Sequence, residues 1–379
     1  MKAATVILTT VAFVYSDGPA PSGGGSSNVS RTRSAPVSTL HMSSPRATHA
    51  HVALGDGRIA LIGGCAQNGC DEGPGSATVD VFDATTGRIQ KVGSLLQARI
   101  GPAAVALSDT EILVVGGWSE GSPTASAEIF NVETRRSRLI EPMSTPRATF
   151  TVAKLADGRV LIAGGFDGEC ELASAEVFDP KSEGFSKVGA LNQARSNALV
   201  TRLSDGRVLV TGGSVNRIVT ATAEIFDPNS GRFTKTGAML EPRYKHAAVA
   251  LDDGKALIIA GSDERDYEGK KSSVEIYDPA TQRFTSAGSL RFKRFKIRDA
   301  VTLLSDGRVL IAGGARKPEI FDPRTRTSTE INIDLDASWS YMTADALPGD
   351  LTLLSGGYIE RSIEVTSRAW VIKLPDIAT

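Results

Sequence analysis

Residues 146–189 read PRATFTVAKLADGRVLIAGGFDGECELASAEVFDPKSEGFSKVG, and this stretch decides the fold. A first alternating run, TFTVAKL, meets Asp157-Gly158, and the chain returns as RVLIAGG. Asp-Gly between two apolar runs is the strongest short hairpin signal, because both turn positions tolerate positive φ. After a variable loop come a third run, SAEVFD, a turn containing Pro180, and a fourth run around Phe185. One unit therefore encodes four short strands. No long window carries apolar residues at i, i+3, i+4 and i+7, so helices are not expected.

The unit recurs along the chain. Glycine pairs end apolar runs at Gly63-Gly64, Gly116-Gly117, Gly164-Gly165, Gly212-Gly213, Gly313-Gly314 and Gly356-Gly357, with Ala260-Gly261 in the remaining place. Their spacings are 53, 48, 48, 48, 53 and 43 residues, which makes seven units. The hairpin signal returns at Asp56-Gly57, Asp205-Gly206, Asp253-Gly254 and Asp306-Gly307, and is lost at Asp109-Thr110. Phe233, Phe284 and Trp370 stand as the fourth-strand aromatics matching Phe185. A four-stranded meander has two apolar faces that it cannot bury alone, so copies must stack face to face. Radial stacking does this and leaves only short edges. The expected fold is all-β: a single β-propeller of four-stranded antiparallel blades, seven favoured and six the alternative.

"PR" before a strand, "DGRVLIAGG", "SAEIFDP" and a following aromatic, repeated from about Val37 to Leu374, resemble the kelch motif. The last unit departs from it, lacking both the PR and the FDP turn. Val37–Met42 looks like the end of a fourth strand that would close the ring against the last unit, as kelch propellers often do; Trp370–Leu374 competes for that place.

Lys2 and the apolar run Ala3–Tyr15 read as a signal peptide over residues 1–16, too short to span a bilayer. A Gly/Ser/Pro-rich linker occupies 17–36 and the propeller 37–376. These features predict export to the periplasm, cell surface or medium. Lys+Arg at 42 against Asp+Glu at 43 leaves no global field for nucleic acid or an anionic membrane, and no membrane span is expected. The alternating basic and aromatic residues of RFKRFKIR (291–298) carry the nucleic-acid reading, and it is outweighed, because Phe292 fills the slot of Met42, Leu95, Met143, Leu191 and Met239 and is assigned to the core. The adjacent DERDYEG loop (263–269) is expected to neutralise this basic stretch.

The loops after the glycine pairs vary in length while the Asp-Gly turns do not, so binding residues are expected on the loop-rich face. On that face one position lies 17 residues before each glycine pair: Arg46, Arg99, Arg147, Arg195, Arg243, Lys296 and Trp339. Such a ring could grip carboxylate or phosphate groups. Equally, strand three opens with an acid at Asp80, Glu128, Glu176, Glu224, Glu275, Glu319 and Glu364, so each cation could pair within its unit as structural glue.

His41, His49 and His51 cluster near the first unit, and His49 shares a repeat position with His246, which favours a structural role over a metal site. Cys65 and Cys70 share one loop and could form a disulfide on export; Cys170 stands apart. No catalytic residue, metal or cofactor is assigned. The leading function is a monomeric, non-catalytic recognition module for a protein, peptide or glycan, acidic partners included. The alternative is a kelch-type carbohydrate-active enzyme, a sugar isomerase or a galactose-oxidase-like enzyme.

Overall fold

The computed structural model describes residues 37–70 and 75–374; the signal peptide and linker of the sequence reading lie outside them. The described residues form seven four-stranded antiparallel sheets, accompanied by short two- and three-stranded ribbons in the loops. The architecture is a β-propeller. In the third sheet the strands are Thr151–Lys154, Val160–Ala163, Ala175–Asp179 and Gly184–Lys187, in sequence order from one edge to the other. Phe178 and Phe185 face each other across the outer pair with ring centroids 5.1 Å apart, and Phe226–Phe233 and Tyr277–Phe284 repeat the contact.

Successive side chains along each strand serve opposite neighbours, as a period of two requires. Val160, Ile162 and Phe178 pack with Leu113, Val115 and Ile129 of the second sheet, whereas Leu161, Ala163 and Val177 pack with Val208, Val210 and Phe226 of the fourth. Ile59, Leu61 and Phe82 of the first sheet meet Leu347, Leu353 and Ala369 of the seventh, so the stack closes on itself.

The seventh sheet is assembled from both ends of the described chain. Its order is Val37–His41, Arg368–Lys373, Leu351–Ser355, Thr343–Leu347. Val37–His41 thus takes the outer place, paired with Arg368–Lys373 through Thr39 opposite Trp370. Trp370 belongs to the third strand, not the fourth. Glu364 lies one step earlier, in a small hairpin with Ile359, and is not the counterpart of the other strand-three acids.

The glycine pairs owe their identity to the neighbouring repeat. The second glycine donates its N–H to a backbone carbonyl of the next unit: Gly64 to Arg99 (2.8 Å), Gly117 to Arg147, Gly165 to Arg195, Gly213 to Arg243, Gly261 to Arg294, Gly314 to Trp339, and Gly357 back to Arg46 (2.9 Å). At Gly212, with φ +59°, a Cβ would stand 2.2 Å from the Arg243 carbonyl oxygen, which only glycine avoids.

Candidate functional site

The arginines ahead of each first strand are enclosed rather than displayed. Arg46, Arg99, Arg147, Arg195 and Arg243 are at most 1% exposed. Arg147 Nη1 donates to the carbonyls of Gly164 and Ser174, and Nη2 donates to Ser174 Oγ (2.9 Å) and Glu176 Oε1 (3.0 Å). Arg99 with Glu128 and Arg195 with Glu224 repeat the pattern. Arg46 with Asp80 and Arg243 with Glu275 complete the set. The carboxylates also accept backbone N–H groups from the connection entering the unit, Ser144 N to Glu176 and Leu96 N to Glu128 among them. Burial lowers the pKa of Arg46, Arg99, Arg147 and Arg195, with the partner acid opposing it. Each pair fastens the incoming chain to strands two and three of its own sheet.

In the sixth unit this place belongs to Arg294, which is fully buried against Glu319 (2.8 Å) and whose carbonyl takes the Gly261 bond. Lys296 is two residues further on, because the segment between Arg294 and Asp306 is two residues longer than its counterpart between Arg243 and Asp253. The same shift gives the core slot to Leu290, 5% exposed, while Phe292 is only partly buried. Trp339 does hold the arginine position, where its Nε1 donates to Leu335 O (2.8 Å). It is buried too.

The residues that do ring the mouth lie two places after these anchors: Thr48, Gly101, Thr149, Asn197, Lys245, Lys296 and Tyr341. All have φ between +51° and +59°. Backbone bonds join them in chain: Gly101 N to Thr48 O, Asn197 N to Thr149 O, Lys296 N to Lys245 O (2.9 Å), Tyr341 N to Lys296 O (2.8 Å) and Thr48 N to Tyr341 O. At each of these positions the backbone turns left-handed. Four units present Thr, Gly, Thr and Asn; the other three present two lysines and a tyrosine.

Around those three, a polar and aromatic cluster is built by the fifth, sixth and seventh units. Lys245 Nζ and Tyr244 Oη both donate to Asp266 Oδ1, at 3.0 and 2.9 Å. Lys296 Nζ donates to Glu360 Oε1 (2.6 Å) and Tyr358 Oη (2.7 Å), and Ser340 Oγ donates to Glu360 Oε2. The Lys296 ammonium also lies 4.9–5.9 Å from the ring centroids of Phe295, Tyr358 and Tyr341. Burial raises the pKa of Tyr244, with Asp266 adding to it, and burial raises that of Tyr341 against the pull of Lys296. Burial lowers that of Lys245, with Asp266 opposing and Lys296 adding to the fall. The acidic loop thus meets Lys245 through Asp266, and Tyr267 packs edge-on against Phe295 with the Lys270 ammonium 3.4 Å from its ring centroid. Sequence reasoning missed this cluster because it tracked the anchors; the signal available was the odd residue two places later.

The histidines are committed to packing. His49 Nε2 bonds Ser355 Oγ (3.0 Å), and His246 Nε2 bonds Thr211 Oγ1 (2.9 Å), each tying its unit to the preceding sheet. Burial pushes both imidazoles down, His246 to about 3, with Arg46 and Arg243 respectively adding to it. His51 pairs with Asp345 at 2.6 Å, and His41 bonds Ser367. Cys65 and Cys70 are disulfide-bonded; Cys170 is free and exposed. No helix among the described residues is long and apolar enough to cross a membrane. On the Asp-Gly face a groove of about 920 Å³ runs between the fifth and sixth sheets, past Leu251, Asp253, Ile276, Arg283 and Arg324. Within it Asp253 pairs with Lys255, and Arg324 pairs with Asp322 beside it.

Fold and site together define a β-propeller with enclosed Arg–acid anchors and one elaborated sector of its loop-rich mouth. The chain carries kelch repeats: the Kelch motif matches residues 99–144 and 155–192, the second and third units, which supports a kelch-repeat family. No curated protein matches the sequence. Among solved structures it is similar to a fungal alcohol oxidase of the AA5 family in complex with copper, with a TM-score of 0.72 and 17% identity over 90% of this chain and 76% of that one. At that identity the likeness concerns the fold. The residues here do not fit a copper centre: among the described residues no group of three His, Cys, Asp or Glu is placed to hold a metal ion, and the tyrosine cluster contains no histidine.

Proposed function

We propose that this protein is an exported recognition module that holds a protein, peptide or glycan on its loop-rich face. The observation that carries this reading is the sector formed by Lys245, Lys296, Tyr341 and their partners. It concentrates aromatic rings and hydrogen-bonding groups where the other four units place Thr48, Gly101, Thr149 and Asn197. Rigid scaffolds with loops of unequal length are built to display binding residues in this way. The Cys65–Cys70 disulfide on the same face suits an oxidising compartment.

The test is capture of ligands from the native surroundings and from glycan and peptide arrays, with wild type beside Lys245→Ala and Tyr341→Ala. Ligands held by wild type and lost by both variants support the reading. Ligands held equally by all three overturn it.

A further inference from the structure

We propose that Asn68 is a self-modifying site: its side-chain amide cyclises onto the backbone nitrogen of Gly69 and is lost as ammonia, which loosens a contact between the first and seventh units on the loop-rich face.

Asn68-Gly69 is the sole Asn-Gly pair in the chain. Gly69 has no Cβ to shield its nitrogen, stands at φ +76°, and has nothing within 4 Å of where a Cβ would be. Both residues are exposed, so water reaches the reacting atoms. The electrophile is prepared as well. Asn68 Oδ1 accepts the N–H of Val365 at 3.0 Å, and a donor on that oxygen stabilises the negative charge it gains when the nitrogen attacks Cγ.

The step balances with water as the co-reactant. The Gly69 nitrogen gives up its proton and bonds to Cγ, Nδ2 leaves with that proton as ammonia, and a cyclic imide remains. Water then opens either carbonyl of the imide, which returns aspartate or the isoaspartyl isomer, whose main chain runs through Cγ.

The change falls where it is felt. The loop from Cys65 to Cys70 is closed by the disulfide, and Cys65 packs with Ala47, Tyr358 and Val365. Val365 lies opposite Tyr358 in the small hairpin of the seventh unit, whose turn carries Glu360. Tyr358 and Glu360 are the two acceptors of the Lys296 ammonium. The isoaspartyl product adds a methylene to the main chain and takes the Oδ1 acceptor away from Val365, so the hairpin that holds Lys296 loses this tie to the first unit.

The test incubates purified protein, its disulfide intact, at mildly acidic and mildly alkaline pH in ordinary and heavy-oxygen water, and maps its peptides by mass spectrometry over time. The Asn68 peptide should gain about 1 Da. It should do so before any other asparagine and faster at the higher pH, where more of the Gly69 amide is deprotonated. The product should carry one heavy oxygen and resolve into two species of equal mass. Gly69→Ala should slow the gain at least about tenfold. Amide exchange at Val365 should be faster in the isoaspartyl fraction than in Asn68→Asp, whose carboxylate can still accept that N–H. An Asn68 peptide that keeps its mass, or that reacts equally fast in Gly69→Ala, overturns the site. An isoaspartyl fraction with the same Val365 exchange as Asn68→Asp overturns the loosening of the hairpin.

Discussion

Trp339 packs against Trp370, tilted by 44° with ring centroids 5.8 Å apart, at the two places in the seventh sheet that hold an arginine and a carboxylate in the other six. Ser355 opposite Ala369 corresponds to Val115 opposite Ala127, which sets Trp370 in the position of Glu128. The molecule therefore contains its own comparison between a buried ion pair and an apolar substitute of similar bulk. Both serve the ring, since the Trp339 carbonyl still accepts from Gly314 as the arginine carbonyls accept from their glycines.

Removing one partner of such a pair leaves the other charged and buried. Arg147→Ala should cost about 3–5 kcal/mol, because Glu176 loses its counter-ion in a site without solvent. Arg147→Met combined with Glu176→Leu, imitating the apolar pair of the seventh sheet, should recover a substantial part of that loss. Urea unfolding midpoints of the three proteins check both statements.

The strands, the turn chemistry and the repeat were legible because each rests on local patterning, as in Asp157-Gly158 or the alternation of Val160–Ala163. The fate of the arginines was legible only as a choice, since Arg147 and Glu176 are 29 residues apart and burial decides between glue and ligand site. Lys296 was misplaced for a definable reason: a fixed offset counted back from Gly313 cannot see two extra residues between Arg294 and the first strand. Trp370 was set one strand too far out because Glu364, an acid near the expected spot, masked the degenerate third strand. The mouth cluster joins units that are distant in sequence, and nothing local to Tyr341 or Glu360 announces it.

At the glycine pairs, space and backbone conformation act together. Gly212→Ala brings a Cβ to 2.2 Å from the Arg243 carbonyl oxygen, so the interface between the fourth and fifth units must open. Gly69→Ala, also at positive φ but with nothing within 4 Å, should cost only the left-handed strain of about 1 kcal/mol. Thermal unfolding should separate the two by severalfold.

The first and seventh units share a pH-dependent contact. Burial alone would pull the His51 imidazolium down, but Asp345 at 2.6 Å overcomes this, with Asp299 adding and Arg298 opposing, and raises its pKa to about 9. Because the folded value exceeds the ordinary 6.5, the stabilisation is complete below about pH 6.5 and is lost as pH rises towards 9. Wild type should lose up to about 3 kcal/mol across that window, and His51→Asn should not show this component. Denaturant midpoints at pH 6, 7.5 and 9 provide the measurement.

The Cys65–Cys70 disulfide closes a very short loop, one end of which is buried beside Ala47, Tyr358 and Val365, while Asn68 Oδ1 accepts the N–H of Val365 at 3.0 Å. Chain entropy gives a bridge of this span about 2 kcal/mol. Cys65→Ser with Cys70→Ser should lower the unfolding midpoint by that amount and speed amide exchange at Val365, which hydrogen–deuterium exchange reads directly.

The central claim is a division of labour: the buried arginines hold the sheets together, and Lys245 with Tyr341 meets the ligand. Ligand capture and thermal midpoint, measured together for Lys245→Ala, Tyr341→Ala and Arg147→Ala, test it most directly. The account predicts that the first two lose captured ligand at least tenfold while still folded at the capture temperature, whereas Arg147→Ala loses stability but binds when folded. Capture abolished by Arg147→Ala at unchanged midpoint, with Lys245→Ala and Tyr341→Ala still binding, would contradict it.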